Sequence, residues 1–571
     1  MPDQDGPLIG IDLGTTYCAV ATIDPHGRPS CLQNGDGDLT TPSVVYFEEK
    51  GPAIVGKEAL KAGLSDPEHM VDLVKREMGK EFYHKPIRDK KLPPSAISGV
   101  ILHRLIEDAQ ASVGPFKRAV VTVPAYFNEP RRKATIDAAH MAGLEQVELL
   151  NEPTAAALAF GFEMGAFTEK AEISQVQTKI PGQFHLLVYD LGGGTFDVTL
   201  MRIKDRHFQA LVCDGDVQLG GKDWDMRLVK DAIQAFHAEF ELNLAEDAEV
   251  MADLTQQVED LKRTLSQRER STLRLNYQGK KLNGDITRDH FRSITADLLG
   301  RTRLTCELVM MEAKMDWDKM DAILLVGGSS RMPMVHDMLV DLTGIEPSRT
   351  VSPDLAVAQG AALYAQMLWG SEESTEITEK VRQKKLLAKI TDVNSHSMGV
   401  VGWDRKTNRR KVSVIIPKNT PIPHSNSKVF RTKSTGQSKI FFQIVEGESH
   451  SPEDCALIGE CRLVGLPKNL PADWPVTITF AYRRDGRIFV EAAVKGSEPF
   501  QLEIDRNQKI SDAELEDWAS ELIGDFNADN GFKDRGASGA EDPDVSKSRA
   551  ALPPSKITTA NVSKKTPPKK G

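Results

Sequence analysis

Two short stretches of the chain share one grammar: Ile9-Gly10-Ile11-Asp12-Leu13-Gly14-Thr15-Thr16 and Val188-Tyr189-Asp190-Leu191-Gly192-Gly193-Gly194-Thr195. Each reads as a strand ending in aspartate, a glycine-rich turn with threonine, and a second strand. Glycine lets the backbone turn tightly and aim its N–H groups at phosphate oxygens. Threonine adds a hydroxyl donor, and aspartate can hold a magnesium ion directly or through water. One such hairpin alone is more often an ordinary turn. Two copies, separated by the length of a full α/β lobe, read as jaws that grip one polyphosphate from both sides.

A third element, Ile323–Pro333 (ILLVGGSSRMP), is again a strand running into a double-glycine turn. Gly327, Gly328 and Ser329 can present backbone to a nucleoside, and Arg331 can stack on a base. Glu259, Lys262, Arg263 and Ser266 fall at i, i+3, i+4 and i+7, hence on one face of a helix; taken alone, that face reads as solvated charge.

The elements that position these residues follow from hydrophobic period. From Leu8 to about Trp369, β-branched runs alternate with longer amphipathic stretches, as in Ala119–Val123 followed by Glu129–Ala142, which is the α/β signature. Residues 371–391 are charged and read as a helix leading into a linker. Beyond Asp392 come strands with turn residues: Val412–Ile416, Ser438–Val445, Val476–Tyr482 and Arg487–Val494, the last pair joined by Arg483-Arg484-Asp485-Gly486. Ser511-Asp512-Ala513-Glu514 is a capping box opening a short helix to about Ile523, and the Gly, Ser, Pro and Lys that follow predict a disordered tail. The expected domains are therefore 1–370, a linker over 371–391, a β-rich unit over 392–510, a short helix within 511–525 and a tail over 526–571.

At 571 residues the chain exceeds one hydrophobic core, and 40 % apolar content suits globular domains. A net charge of −10 with both signs interspersed argues against nucleic-acid or anionic-membrane binding. Six cysteines (Cys18, Cys31, Cys213, Cys306, Cys455, Cys461) at irregular spacing suit free thiols better than disulfides or zinc. Met1–Gly10 has neither a basic start nor an apolar run of signal length, so a cytoplasmic protein is expected.

With these residues in place, the sequence closely resembles the heat-shock protein 70 family over roughly Leu8–Ile510. GIDLGTTY (Gly10–Tyr17) and YDLGGGTFD (Tyr189–Asp197) are similar to that family's phosphate loops, and VGGSSRMP (Val326–Pro333) to its adenosine loop. NGDGDLTTPS, VTVPAYFNEPRR, NEPTAAALAFG and LGGKDWD also match, in family order. The resemblance implies an α/β two-lobed actin-like (ribonuclease H-like) ATPase domain followed by an all-β sandwich that binds peptides. It further implies an ATP-dependent chaperone that binds extended hydrophobic segments of unfolded proteins, with ATP/ADP, Mg²⁺ and K⁺ as cofactors.

Site residues follow from the resemblance position by position. Lys75 matches the lysine that positions the attacking water, with Glu152, Asp190, Asp197 and Thr195 around it. Asp12 and Asp190 organise Mg²⁺ and flanking K⁺. Gly14, Thr15, Thr16, Tyr17, Gly192, Gly193, Gly194, Thr195 and Gly221 lie along the phosphates. Glu259, Lys262, Arg263, Ser266, Gly327, Gly328, Ser329, Arg331 and Asp354 lie at the nucleoside. Pro124 and Arg132 match the switch that reports nucleotide state to the other domain. Val400, Val401, Gly402 and Trp403 fall where the family places an arch over the peptide, and Phe430, Ile440 and Phe442 line the pocket beneath.

Four departures from the family carry expectations. Ala388-Lys389-Ile390-Thr391-Asp392 replaces a leucine-rich linker, which predicts weakened coupling between the domains. Glu148 replaces an arginine used to bind J-domain co-chaperones, and charge reversal weakens that contact. The lid is reduced to one helix, so bound peptide is expected to leave quickly in both nucleotide states. The stretch Arg274–Asp289 holds only a short hairpin where the major bacterial chaperone has a longer one that slows nucleotide release. Other partners implied are client polypeptides and a nucleotide exchange factor. Competing readings are an actin-like filament ATPase or sugar kinase, which Lys75 and the β-rich unit argue against, and a holdase or regulator with little turnover.

Overall fold

A computed structural model describes residues 6–167, 182–370, 386–404, 407–464, 466, 470–483, 488–494, 500–502 and 511–523. The expected helix over 371–385, the turn at Arg484–Gly486 and the tail from 526 lie outside the described residues.

Two mixed sheets form the first part of the chain. In one, Ile9–Asp12 is central: it pairs antiparallel with Tyr17–Ile23 and parallel with Arg118–Val123, which pairs parallel with Gln146–Asn151. In the other, Gln183–Leu191 pairs antiparallel with Phe196–Lys204 and parallel with Ala322–Val326, and Phe196–Lys204 pairs with His207–Asp216. Both phosphate segments are thus hairpins, each ending its first strand at or just past the aspartate. Sheets covered on both faces read as nearly continuous apolar runs, because alternate side chains enter different cores. Leu187, Tyr189 and Leu191 pack with Trp224, Phe236 and Leu261, whereas Leu186 and Val188 pack with Ala155, Leu158 and Ala361. Helix Ala356–Trp369 crosses helix Glu152–Glu163 at Gly360, where a Cβ would overlap the carbonyl of Ala155.

The linker region departs from expectation. Lys389–Val393 is a strand, pairing parallel with His207–Gln209 and antiparallel with Pro421–Ile422. It extends the second sheet into the β-rich unit. The altered linker sequence satisfies its backbone in that sheet, with Ile390 against the apolar core beneath and Thr391 near His207 (2.9 Å) on the outer face.

The β-rich unit contains two four-stranded sheets. One runs Arg409–Ile416, Met398–Asp404, Lys439–Glu446, Ala456–Val464; the other runs His424–Arg431, Pro475–Tyr482, Ile488–Val494, Phe500–Leu502. Alternation in Pro475–Tyr482 sends Val476, Ile478, Phe480 and Tyr482 inward, where Ile478, Phe480 and Tyr482 meet Met398, Ile416 and Ile444. The capping box forms: the Glu514 carboxylate accepts from the Ser511 amide (2.8 Å), and the Ser511 hydroxyl accepts from the Glu514 amide (3.2 Å). It opens helix Asp512–Ile523, whose buried Leu515, Ala519 and Leu522 pack against helices Pro94–Val113 and Glu129–Met141. Lys90–Glu521 (2.5 Å) and the Ala53 amide to the Leu522 carbonyl (3.1 Å) fix it there. This helix therefore rests on the first domain rather than over the β-rich unit. Among the described residues no helix is long and apolar enough to cross a membrane, and the six cysteines are free.

Candidate nucleotide site and its link to the β-rich unit

The two glycine-rich turns face each other. A Cβ on Gly193 would overlap the Thr16 side chain, and one on Gly194 would overlap that of Thr15, so only glycine permits this approach. Thr15 and Thr195 are buried between them. The first turn of helix Gly221–Phe240 backs the second hairpin, with the amides of Gly221 and Lys222 donating to the carbonyls of Gly192 and Gly193 (both 2.9 Å).

Lys75 sits on a single 3₁₀ turn, Val74–Glu77, entered through Leu73 in the left-handed region. Its side chain is 6 % exposed and ion-pairs with Glu152, itself 5 % exposed at the start of helix Glu152–Glu163. Burial alone would lower the Lys75 ammonium; Glu152 and Asp12 more than offset this and hold it above its usual value. Burial, reinforced by Glu152, pushes the Asp12 carboxyl up to about 7, although it accepts from the Thr122 hydroxyl at 3.1 Å. Asp190 is pushed well above the usual range by burial, Glu152 and its fellow aspartates. Asp197 rises to about 8 through burial and Glu152, while the Tyr126 amide, 3.1 Å from its carboxylate, opposes the rise.

Asp12, Asp190, Asp197 and Glu152 therefore stand against one lysine, an excess of buried carboxylate that a hard cation would relieve. Among the described residues no group of His, Cys, Asp and Glu is close enough to ligate an ion by itself. That fits Mg²⁺, which keeps waters and takes phosphate oxygens as ligands.

The residues expected at the nucleoside are bonded to one another and to their neighbours. Gly327 has positive φ and lies against the Leu191 carbonyl, and Ser329 abuts Gly221. Arg331 is held by Asp354 at 2.5 Å. On helix Ala248–Gln267, the Glu259 carboxylate receives Lys222 (2.8 Å) and Arg263 (2.5 Å), and Lys262 pairs with buried Asp225 (2.7 Å). Arg263 reaches across to the Tyr17 hydroxyl at 2.7 Å and lies over its ring. Ser266 spends its hydroxyl on its own helix, at the Lys262 carbonyl.

Sequence reasoning missed Arg76, which donates to the Gly194 carbonyl (2.7 Å) and pairs with Asp223 (2.5 Å), bridging the two halves of the cleft. Its signal was its place beside Lys75.

The Pro124 carbonyl accepts from the Phe127 amide (3.1 Å), beside the Tyr126 that contacts the β-rich unit. Asp197 holds Tyr126; Arg132 donates to the carbonyl of Phe127 (3.0 Å) and to Asn151 (2.7 Å), the neighbour of Glu152. Tyr126 meets His396 edge-on, with ring centroids 4.2 Å apart. The Glu129 amide donates to Glu446 (3.0 Å) and the Thr154 hydroxyl to Asp392 (2.6 Å). Lys418 pairs with Asp214 (2.8 Å), and Asn419 accepts from the Cys213 amide (3.0 Å).

In the β-rich unit, Val400 and Phe442 point into the sandwich core, while Phe430 and Ile440 are half-buried against it. Val401, Gly402 and exposed Trp403, 49 % accessible, lie in the strand that ends at Asp404, and the Trp403 indole N–H donates to Asn408 (3.0 Å). The Lys433 ammonium lies 5.0 Å over that indole, joining the segment after strand His424–Arg431 to strand Met398–Asp404.

The Hsp70 protein family model matches residues 8–537. Curated relatives include "Chaperone protein DnaK" of Thermotoga petrophila, 34 % identical over 524 residues and covering 90 % of this chain and 83 % of that protein. The protein of the same name from Thermosipho africanus is 35 % identical over 504 residues, covering 87 % and 79 %. That from Halobacterium salinarum is 35 % identical over 519 residues, covering 89 % and 77 %.

Proposed function

The chain belongs to the Hsp70 family and is an ATP-hydrolysing, ATP-dependent molecular chaperone that binds ATP and ADP with Mg²⁺; from that premise we propose that hydrolysis occurs between the two facing hairpins, with Lys75 positioning the attacking water. The buried Lys75–Glu152 pair among three aspartates carries this reading. Glu152 keeps the lysine charged and aimed, and the amides of Gly193 and Gly194 with the hydroxyls of Thr15, Thr16 and Thr195 supply donors for phosphate oxygens. Asp12 and Asp190 would hold Mg²⁺ and flanking K⁺, where the divalent ion would supply neutralisation of phosphate charge. Asp197 tethers Tyr126, so a change at the γ-phosphate has a short path to the β-rich unit.

Single-turnover hydrolysis by Lys75→Ala tests the assignment. The variant is expected to keep ATP binding and lose roughly 10²–10³-fold in rate; an unaltered rate would remove Lys75 from the mechanism.

Clients would be extended segments with a central apolar side chain, seated between the Trp403 end of strand Met398–Asp404 and the half-buried Phe430 and Ile440, over the core that Phe442 fills. The paired domains described here are the arrangement we assign to ATP, since residues beside the cleft contact the β-rich unit directly. A J-domain partner would meet Glu148 instead of a cation, which weakens that contact, and an exchange factor is the remaining partner this cycle implies.

A further inference from the structure

Lys222 opens helix Gly221–Phe240 immediately behind the second phosphate hairpin, its amide bound to the Gly193 carbonyl at 2.9 Å. Its side chain turns away from the phosphates toward helix Ala248–Gln267 and meets one oxygen of Glu259 at 2.8 Å. The other oxygen of Glu259 is taken by Arg263 at 2.5 Å. Both members of the Lys222–Glu259 pair are largely buried, with side chains 17 % and 14 % exposed. Two cations on different helices thus fix both oxygens of a single carboxylate. Arg263 is only one helical turn from Glu259 and constrains it along its own helix; Lys222 comes from the neighbouring helix and fixes its rotation.

We propose that Lys222 is a positioning residue for ribose recognition, holding the Glu259 carboxylate so that its remaining lone pairs accept from the ribose hydroxyls and tying that contact to the phosphate hairpin. The proposal rests on reading the Glu259 face as the ribose side of the nucleotide site. A carboxylate restrained at both oxygens accepts a new donor without losing rotational freedom at binding, and part of the benefit of the hydroxyl contact is therefore supplied by Lys222. Burial opposes charge on both partners, yet Glu259 is held below its usual carboxylate range by Lys222 and Arg263, and Lys222 above its usual ammonium range by Glu259 and Asp225. The pair thus remains ionised and able to act as proposed. Asp223, the next residue, pairs with Arg76 across the cleft, so the same helical turn joins phosphate hairpin, ribose face and opposite lobe.

The test is equilibrium binding of Mg-ATP, Mg-2′-deoxyATP and Mg-3′-deoxyATP to the full chain and to Lys222→Ala, Lys222→Arg and Glu259→Gln. Lys222→Ala should lose about ten-fold in ATP affinity and much less toward the deoxy analogue whose missing hydroxyl meets Glu259, the size expected for a charge-assisted contact. Lys222→Arg should recover most of the ATP affinity, which a merely structural role at a helix start would not require. Equal losses for all three nucleotides, or none, alongside a hydroxyl preference abolished in Glu259→Gln, would overturn the role of Lys222 while leaving the ribose reading standing. An unchanged hydroxyl preference in Glu259→Gln would overturn both.

Discussion

At the residue scale, function concentrates where burial and charge conflict. Lys75 and Glu152 are buried as an ion pair, so each is the other's partner in the cleft. Removing only one partner strands the other, so Glu152→Ala should lower both thermal stability and hydrolysis, whereas Glu152→Gln should retain more of the stability than of the rate. Thermal unfolding measured beside single-turnover hydrolysis separates the two effects. Glu148 gives a simpler expectation, since on the proposed reading its carboxylate would face an acidic J-domain loop where a cation would attract it. Glu148→Arg should gain stimulation by a general J-protein, and strong stimulation of the unaltered chain would show that other contacts suffice. In the β-rich unit, Trp403 with Lys433 over its ring is the group we propose to cover a peptide. Trp403→Ala should therefore speed release of a fluorescent extended peptide, most of the affinity loss appearing in the off-rate.

At the scale of elements, strands and helices were legible wherever the period was clean. The hairpins ending at Asp12 and Asp190, the helix carrying Glu259 and the capping box at Ser511 all formed where residue type demanded them. Lys389–Val393 was not legible, because its pairing is chosen by a partner strand far away in sequence rather than by local pattern. In the cleft, Arg76, Lys222 and Tyr126 were missed for the same reason: each owes its role to a long-range contact, with Asp223, Glu259 and His396 respectively. The weakened coupling expected from the altered linker must be set against a strand that docks through Ile390 on the core and Thr391 at His207. Ile390→Asp would place a carboxylate against that core and should detach the strand. Hydrogen exchange of the Lys389–Val393 amides should then accelerate in the ATP state, with hydrolysis no longer responding to peptide; retained protection would show that the strand is held by other contacts.

At the scale of the whole molecule, the two domains meet through buried polar groups, which makes their pairing sensitive to solution conditions. Glu446 is 3 % exposed and faces Glu129 and Arg132 from helix Glu129–Met141 and Tyr482 from its own domain. Burial pushes its carboxyl up to about 8; repulsion from Glu129 adds to this, and the Glu129 amide and Arg132 oppose it. To the extent that pairing of the domains raises this carboxyl, its contribution is complete below the ordinary glutamate value of about 4.5. Its contribution falls as pH rises toward about 8, and pairing takes up a proton across that window. Energy transfer between labels on the two domains should thus weaken from about pH 5 to about pH 8, and Glu446→Gln should flatten the profile. An identical slope in Glu446→Gln would assign the pH response to another group.

Two routes of contacts run from the cleft into the β-rich unit, one from Asp197 through Tyr126 to His396 and one from Thr154 to Asp392, and on our reading they join cleft chemistry to client binding. The most direct test of that connection is the dissociation rate of a fluorescent extended peptide from the full chain, measured in Mg-ATP and in Mg-ADP, with Lys75→Ala beside it. The shortened lid alone suggested fast release in both nucleotide states; with the β-rich unit docked through these contacts, the expected result is instead faster release in ATP than in ADP, with Lys75→Ala kept at the fast rate for as long as ATP is present. Equal release rates in the two nucleotides would contradict it, leaving an ATPase and a peptide-binding unit that share a chain without controlling each other.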